Sequence, residues 1–478
     1  MLDILLANLI IFISIIMKDR IKKLIAEVKG NKNARPYFLY FAVLALVVLF
    51  FLLRVSKLPL GNSQWTWNYV SRPLDSSYYF PLLAVLFLGV ILFLALRLKI
   101  NEKFYLPLLV VAVFVLLISF VGVGLDQPSS TWLDKTIRHS GVTSYFSDAQ
   151  KINNLGEFLH QYPKLIPSLE MHSQTHPPGP IVFFYGSIKL SQITGNSFNP
   201  ALYGAYAIIL LASSSVVLVY YLTKKLFDHR TALIASSLYG LTPALVMFTP
   251  EMDQVYPLFF LILIYLLIES IEKKKYLLAW PIGLLWAASL FFSYLFLTFA
   301  LAFFIICGIY YLNSKFEDKK TFVRFALGLL IRIALVFILA HLVYGMIFGN
   351  NLLDIYRASM PYHKAFLATK TYSLWLVYNL YDFILFLGLP VTFGIIFSLR
   401  KSRPNIILWF LIAMLLIIDL SGKNRGEVAR IWLFLTPFAA IAASSYIKKY
   451  NNIIVWAVII LSILQIVIFR KYIVTITL

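Results

Sequence analysis

The sequence contains little charge, and this shortage excludes a soluble globular protein. Only 13% of its 478 residues are Asp, Glu, Lys or Arg, whereas 60% are hydrophobic, and the mean hydropathy is +0.82. Soluble domains carry roughly 25% charged and roughly 45–50% apolar residues. Because such a chain has more apolar surface than a soluble core can bury, we predict an integral membrane protein.

Cysteine is almost absent, and acidic residues are half as frequent as basic ones. The single cysteine, Cys307, excludes an intrachain disulfide and a cysteine metal site. The net charge of +21 comes from basic residues that lie between apolar runs. This distribution indicates membrane topology and contact with lipid headgroups, not nucleic-acid binding. The first apolar run, 1–17, lacks a basic n-region and a cleavage site, so we predict a retained helix.

Long apolar runs recur along the whole chain. Since a helix needs roughly 20 residues to cross a bilayer, we predict an all-α polytopic membrane protein, a transmembrane helix bundle of about 12–14 spans. The runs lie at 1–17, 36–55, 79–97, 104–124, 200–222, 231–249, 254–272, 276–293, 294–312, 321–346, 374–397, 404–419, 430–447 and 452–470.

Basic clusters between these runs set the predicted orientation. They lie at 18–35, 97–103, 224–230, 273–275, 315–324, 400–403 and 448–449. The positive-inside rule places them in the cytoplasm, and alternating spans put all of them on one side if 179–194 does not cross. That segment is short and only moderately apolar, so we predict an interfacial helix. The loops 125–178, 347–373 and 420–429 then face outward.

The outer loop 125–178 is the longest polar interval, and it contains Asp148 close to Tyr145. A carboxylate at the membrane surface can act as a general base when it reaches an acceptor hydroxyl. The alternative is a solvated loop aspartate or a helix N-cap. The loop ends in Thr175–Pro180, whose prolines stiffen the backbone and whose glycine lets a helix begin close to another backbone. Within it, His176 is a candidate donor to a phosphate or a sugar hydroxyl.

Two carboxylates, Glu251 and Asp253, lie in a short outer turn between two predicted spans. Carboxylates at a membrane face are costly unless they are hydrated, paired or bound to a cation. We therefore predict either a divalent cation such as Mg²⁺ or Mn²⁺ held by their oxygens, or a lysine or arginine from another loop. A plain solvated turn is the remaining alternative.

Basic side chains in the other outer loops are candidate substrate-binding groups. Arg425 and Arg430 lie in a compact polar loop, and a guanidinium offers phosphate oxygens a planar fork of donors. Glu427 is placed to orient one of them. His363 and Lys364 are the candidates in the preceding outer loop. The alternative for both loops is an ordinary charged surface.

The order of these pieces resembles the GT-C superfamily of polyprenyl-phosphate-sugar-dependent glycosyltransferases, in particular its protein-mannosyltransferase and aminoarabinose-transferase-like branch. In that branch an outer loop with the catalytic aspartate precedes a proline-rich segment, an interfacial helix, a span with a basic end and a second acidic loop. The corresponding stretches are Asp148, His176–Pro180, 181–194, Val216–Phe227 and Phe248–Tyr256. The resemblance covers residues 104–312, and Ser147 stands where the branch usually has a second acidic residue.

This resemblance implies a GT-C-like catalytic core at 101–320, accessory helices at 1–100 and further membrane helices at 321–478. It implies that a sugar, a hexose such as mannose or a pentose, arrives on a polyprenyl-phosphate donor. A lipid, glycan or protein would accept it at the outer face of the cell membrane. Asp148 is then the general base of an inverting transfer. The implied substrate-binding residues are Tyr145, His176, Glu251, Asp253, His363, Lys364, Arg425 and Arg430.

Two other functions fit the sequence less well. A transporter or flippase of lipid-linked saccharides would show internal repeats and broken helices near the midplane. The intramembrane residues Asp382 and Arg332 are its main support. A non-catalytic envelope-assembly or polymerase-like protein would share the arginines that bind lipid phosphate but would not need Asp148.

Overall fold

The structure, a computed structural model, describes residues 36–57, 60–98, 101–125, 127–313, 318–399 and 405–476. The predicted span 1–17 and the basic cluster 18–35 lie outside these residues. Within them, almost all regular structure is helical, and three short strands are the exception. The prediction of an all-α protein is confirmed.

The first part of the described chain forms three long helices and a β-hairpin. Each of the three helices is rich in apolar side chains and long enough to cross a bilayer. The third helix is capped by the side chain of Asn101, which accepts from the Lys103 backbone N–H. The elements are α1 (Tyr37–Arg54), β1 (Leu60–Asn62), β2 (Trp65–Tyr69), α2 (Tyr79–Arg97) and α3 (Glu102–Val121).

The predicted outer loop 125–178 folds into short helices, and the predicted interfacial helix follows it. These elements are α4 (Ser129–Arg138), α5 (Tyr145–Ala149), α6 (Leu155–Leu165), α7 (Met171–Gln174) and α8 (Gly179–Ile193). Helix α8 begins where the sequence predicts. A Cβ on Gly179 would collide with the backbone of Phe291, so only glycine allows this close approach.

The middle of the chain supplies six further helices. They are α9 (Pro200–Leu226), α10 (His229–Gly240), α11 (Pro243–Met247), α12 (Tyr256–Lys273), α13 (Ala279–Phe292) and α14 (Thr298–Asn313). The predicted single span 231–249 is divided between α10 and α11. Pro243 cannot donate an N–H to a continuing helix but suits the first turn of a new one, so the chain breaks just before it.

The last part of the chain contains eight helices and one strand. They are α15 (Lys319–Phe348), α16 (Leu352–Ala368), α17 (Tyr372–Leu387), α18 (Leu389–Ser398), α19 (Ile406–Leu420), α20 (Val428–Ile431), α21 (Thr436–Ile447), α22 (Asn452–Tyr472) and β3 (Ile473–Val474). Helix α16 occupies most of the predicted outer loop 347–373.

In the part of the chain that the structure describes, nine helices are long and apolar enough to cross a membrane. The bent pair α17 and α18 makes a tenth if it is one span, and the apolar helices 276–292 and 406–420 are shorter. The chain is therefore a multi-pass membrane protein, as predicted.

The bend between α17 and α18 occurs at a glycine, and the side chain of Gln465 satisfies the backbone groups on either side of it. Gly388 has a φ of +104°, which favours glycine, and the two helices meet there at 110°. The side chain of Gln465 donates to Leu385 O at 2.8 Å and accepts from Leu389 N at 2.7 Å. Backbone groups freed at membrane depth need such partners, so Gln465 stabilises the break.

Several basic clusters that were assigned to the cytoplasm contact one another at one end of the bundle. Lys224 pairs with Glu102 at 2.5 Å, and Lys448 pairs with Asp228 at 2.6 Å. Arg230 donates to the carbonyl oxygen of Tyr450 at 2.9 Å. These contacts agree with the prediction that the clusters lie on one side.

A small antiparallel sheet joins the hairpin to the last described residues. Strand β2 pairs with β1 and with β3, and Asn68 faces Val474 in the second pair. The side chain of Gln64, between β1 and β2, accepts from Thr371 N and from Trp375 Nε1, each at 3.0 Å. The hairpin is thereby fixed against α17 and β3.

Candidate functional site

An open cavity with a volume of about 100 Å³ lies where the hairpin meets the turns before α12 and α20. Its polar lining consists of His172, Glu251, Glu427 and Arg430. Aromatic and other side chains form the rest of the wall, namely Trp65, Trp67, Val142, Phe248, Thr475 and Ile476, together with Gly141. Ligand sites commonly combine an apolar wall with a few polar groups in this way.

Arg430 holds three carboxylates together beside this cavity. Its guanidinium forms an ion pair with Glu251, lies 3.1 Å from Asp253 Oδ2 through Nε, and donates to Glu427 Oε2 at 2.8 Å through Nη2. The four side chains are only 6–18% exposed. When all four groups are ionised, the cluster carries two negative charges in excess. A planar fork of donors suits this shared arrangement.

The pairing of Glu251 and Asp253 with an arginine from another loop is one of the three alternatives that the sequence left open, and it is confirmed. The prediction that Glu427 orients an arginine is confirmed as well. Among the described residues, no group of three or more His, Cys, Asp and Glu side chains is able to hold a metal ion. In this structure Glu251 and Asp253 direct their oxygens to Arg430 and do not form a Mg²⁺ or Mn²⁺ site. Nothing else tests the predicted cation, which stays a prediction.

Two of these carboxyl groups, those of Glu251 and Glu427, have pKa values shifted in opposite directions. Burial raises the pKa of Glu251 to about 7, although the positive charge of Arg430 lowers it. Burial alone also raises the pKa of Glu427, but the charges of Arg430 and Lys370 outweigh it and hold that pKa below its usual value. Glu251 is therefore the cavity carboxyl that exchanges a proton near neutral pH.

The turn before α20 places Glu427 and Arg430 on the same side. Glu427 has a φ of +58° and precedes the first residue of α20. Asn379 holds the turn because its Oδ1 accepts from Gly426 N at 3.1 Å and its Nδ2 donates to Asn424 O at 2.9 Å. The turn is thus fixed by α17, an element far away in the sequence.

Asp148 lies in α5 with a side chain that is fully buried. Its Oδ1 is 2.9 Å from Lys151 Nζ, and its Oδ2 accepts from the backbone N–H of Glu170 at 3.0 Å. It is not among the residues that line the cavity. Both carboxylate oxygens have partners in this state, and the role of Asp148 as general base stays a prediction.

Tyr145 is buried, and the half-buried His172 and His176 lie with it next to the acidic cluster. The rings of Tyr145 and His176 meet edge to face with centroids 5.6 Å apart, and His176 Nδ1 lies 2.9 Å from His172 O. Burial lowers the pKa of His176, and burial together with the charge of Arg430 lowers the pKa of His172 to about 4. Both imidazoles are therefore neutral at pH 7 and able to donate or accept one hydrogen bond.

The other predicted substrate-binding residues lie apart from the cavity lining. Arg425 Nη1 donates to Lys370 O at 2.9 Å, and His363 Nε2 is 3.1 Å from Lys423 O. Lys364 is exposed on α16. The contacts of Arg425 and His363 join the loop before α20 to the segment around α16, so for these two the structure indicates a positioning role. Their binding of substrate stays a prediction.

Three cavity residues escaped the sequence interpretation. Trp65 and Trp67 belong to a hairpin whose strands are short, and His172 lies in a loop where several histidines are close together. The alternation of tryptophan and polar residues in Trp65–Tyr69 was the available signal for the hairpin.

A model of the dolichyl-phosphate-mannose-protein mannosyltransferase family matches residues 176–344. The chain is a membrane glycosyltransferase of the GT-C type. The matched segment begins at His176 and includes Glu251 and Asp253. The hairpin and the Arg430 turn of this glycosyltransferase lie outside it. No curated protein matches the chain.

Proposed function

We propose that this glycosyltransferase moves a sugar from a polyprenyl-phosphate donor to a hydroxyl group of a lipid, glycan or protein at the outer face of the membrane. The observation that carries the proposal is the cavity in which carboxylates, an arginine and aromatic side chains meet. The name of the matched family, which contains a dolichyl-phosphate-linked sugar, supports the donor class.

The proposed reaction is an inverting displacement. The acceptor oxygen attacks the anomeric carbon from the side opposite the lipid phosphate, and the bond between that carbon and the phosphate oxygen breaks. The phosphate leaves with the electron pair, while a carboxylate removes the acceptor proton.

Two carboxylates compete for the role of general base. The resemblance assigns it to Asp148, whose two oxygens are held by Lys151 and Glu170. Glu251 lines the cavity, and its pKa of about 7 suits a base at neutral pH. Catalytic hydrogen bonds often form fully only when substrate binds. Asp148 therefore remains a candidate for the base, although it is buried and paired in this structure. We keep Asp148 as the proposed base and Glu251 as the residue to test against it.

The test is sugar transfer by purified protein in lipid, with a panel of polyprenyl-phosphate sugars and the variants Asp148→Asn, Glu251→Gln and Lys151→Met. Glu157→Gln is the control, since Glu157 is an exposed carboxylate of the same outer segment. We expect Asp148→Asn to abolish transfer with the fold retained and Lys151→Met to keep it. Equal losses in these two variants would indicate that Asp148 serves only the ion pair.

Loss of transfer in Glu251→Gln alone would assign the base to Glu251. Full activity in both carboxylate variants would contradict the inverting mechanism as proposed. One feature of the structure, the broken helix at Gly388, is also expected of a transporter. The backbone groups at this break, however, are bonded by Gln465 from within the bundle. Movement of a lipid-linked sugar between leaflets without transfer would decide for the transporter.

A further inference from the structure

The hairpin wall of the cavity lies outside the segment that matches the glycosyltransferase family. The match covers residues 176–344, whereas Trp65 and Trp67 come from β2. Both tryptophans line the same cavity as Glu251 and Glu427. The hairpin therefore contributes an aromatic wall to the cavity that the acidic cluster also lines.

Trp67 anchors this wall. Its Nε1–H donates to Asp382 Oδ1 at 3.1 Å, and its ring centroid lies 4.8 Å from that of Phe386 and 5.8 Å from that of Phe248. The indole N–H has an acceptor and the ring packs on two phenylalanines, so Trp67 positions the strand. Its neighbour in the cavity wall is different.

Trp65 has an indole N–H without a partner. Its Nε1 is buried and forms no hydrogen bond to any residue that the structure describes. The ammonium group of Lys370, 5.4 Å from the Trp65 ring centroid, is likewise buried and without a hydrogen bond there. Leaving a buried donor unsatisfied is unfavourable. Trp65 lines the cavity and Lys370 does not, so an acceptor oxygen of a ligand in the cavity would satisfy the indole N–H of Trp65.

The opposite wall offers acceptors instead of donors. Glu251 and Glu427 line the cavity, and their cluster with Asp253 and Arg430 carries excess negative charge. A phosphate placed between these walls would be repelled by the carboxylates, even with Lys370 nearby. A neutral sugar ring avoids this repulsion because its hydroxyl groups both donate and accept, and its C–H face is apolar enough to pack on an aromatic ring.

We infer that Trp65 is a specificity-determining residue that packs its ring on the transferred sugar and donates its indole N–H to one sugar hydroxyl. This inference rests on the proposed function, since it places the sugar of the donor in the same cavity.

The test compares binding of a lipid-linked sugar with binding of the same lipid phosphate without sugar. The probes are undecaprenyl-phosphate mannose, undecaprenyl-phosphate glucose, undecaprenyl-phosphate arabinose and undecaprenyl phosphate, each displacing labelled undecaprenyl phosphate from protein in nanodiscs. The variants are Trp65→Phe, which keeps a ring but loses the N–H, and Trp65→Leu, which loses both. Trp280→Phe is the control, because Trp280 is 56% exposed on α13.

We expect Trp65→Phe to weaken binding of the preferred sugar-linked probe by about 3- to 10-fold, the effect of one lost hydrogen bond, and to leave undecaprenyl phosphate unchanged. Trp65→Leu should weaken it further and reduce the discrimination among the three sugars. The control should behave like wild type. Melting temperatures in the same nanodiscs show whether each variant keeps its fold.

Equal weakening of all four probes would place Trp65 at the phosphate or the lipid and overturn the inference. Unchanged binding of every probe in both Trp65 variants would overturn it too, as would a wild type that does not distinguish sugar-linked from sugar-free lipid. The proposed function fails by a separate result. If wild-type protein binds the sugar-linked lipid through Trp65 but transfers no sugar, the proposed function is wrong and the inferred role of Trp65 in sugar binding still holds.

Discussion

Replacing Arg430 by methionine should destabilise the protein more than any single surface change. The substitution leaves Glu251, Asp253 and Glu427 without their shared partner, in side chains that are only 6–18% exposed. Removing one partner of a buried ion pair costs about 3–5 kcal/mol. We expect the lower end of this range at pH 6, because Glu251, whose pKa burial raises to about 7, is then protonated and needs no counter-charge. The loss should grow at pH 8, where Glu251 is ionised.

The assay is denaturant-induced unfolding in detergent micelles at both pH values. Adding Glu251→Gln to Arg430→Met should recover part of the loss at pH 8, since one buried charge is removed. Arg357→Met is the control, because Arg357 is exposed on α16, in the predicted outer loop 347–373. Its cost should stay within about 0.5 kcal/mol. Equal midpoints for wild type and Arg430→Met at pH 8 would refute the reasoning.

Three further predictions concern the same region. With Asp148 as the base, the pH–rate profile of sugar transfer should be the same in wild type and Glu251→Gln; a limb that rises around pH 7, where Glu251 ionises, and that Glu251→Gln removes would instead assign the base to Glu251. Treatment with EDTA should leave transfer unchanged, because Glu251 and Asp253 are paired with Arg430; loss of activity that Mn²⁺ restores would contradict this. Trp67→Phe should cost about 1.5–3 kcal/mol in unfolding free energy, since the buried Asp382 carboxylate loses its indole donor, and an unchanged denaturation midpoint would disprove it.

Helices and spans were largely predictable because bilayer thickness imposes a length on apolar runs. The start of α8 was predictable for a different reason, as Gly179 follows prolines that define the end of the loop. The division at Pro243 was missed because hydropathy alone does not register the missing N–H of proline within an apolar run.

The candidate site was predictable in part. Glu251, Asp253 and Arg430 were all identified, and an arginine from another loop was one of two expected partners for the carboxylates. What the sequence lacks is any signal for which distant loop supplies it, since Arg430 and Glu251 are 179 residues apart. The tryptophan wall was missed because β2 is short and its second partner, β3, has only two residues.

The sheet that carries the tryptophans also has a consequence for biosynthesis. Strand β2 depends on Ile473 and Val474, and Arg72 Nη1 donates to Ile473 O across 401 positions. Membrane helices insert as they leave the ribosome, so every intervening span is in the bilayer before these contacts can form. Closing such a distant contact is slow compared with local folding. A nascent chain would therefore lack both the pairing of β2 with β3 and the cavity wall formed by Thr475 and Ile476 until residues 473–476 arrive.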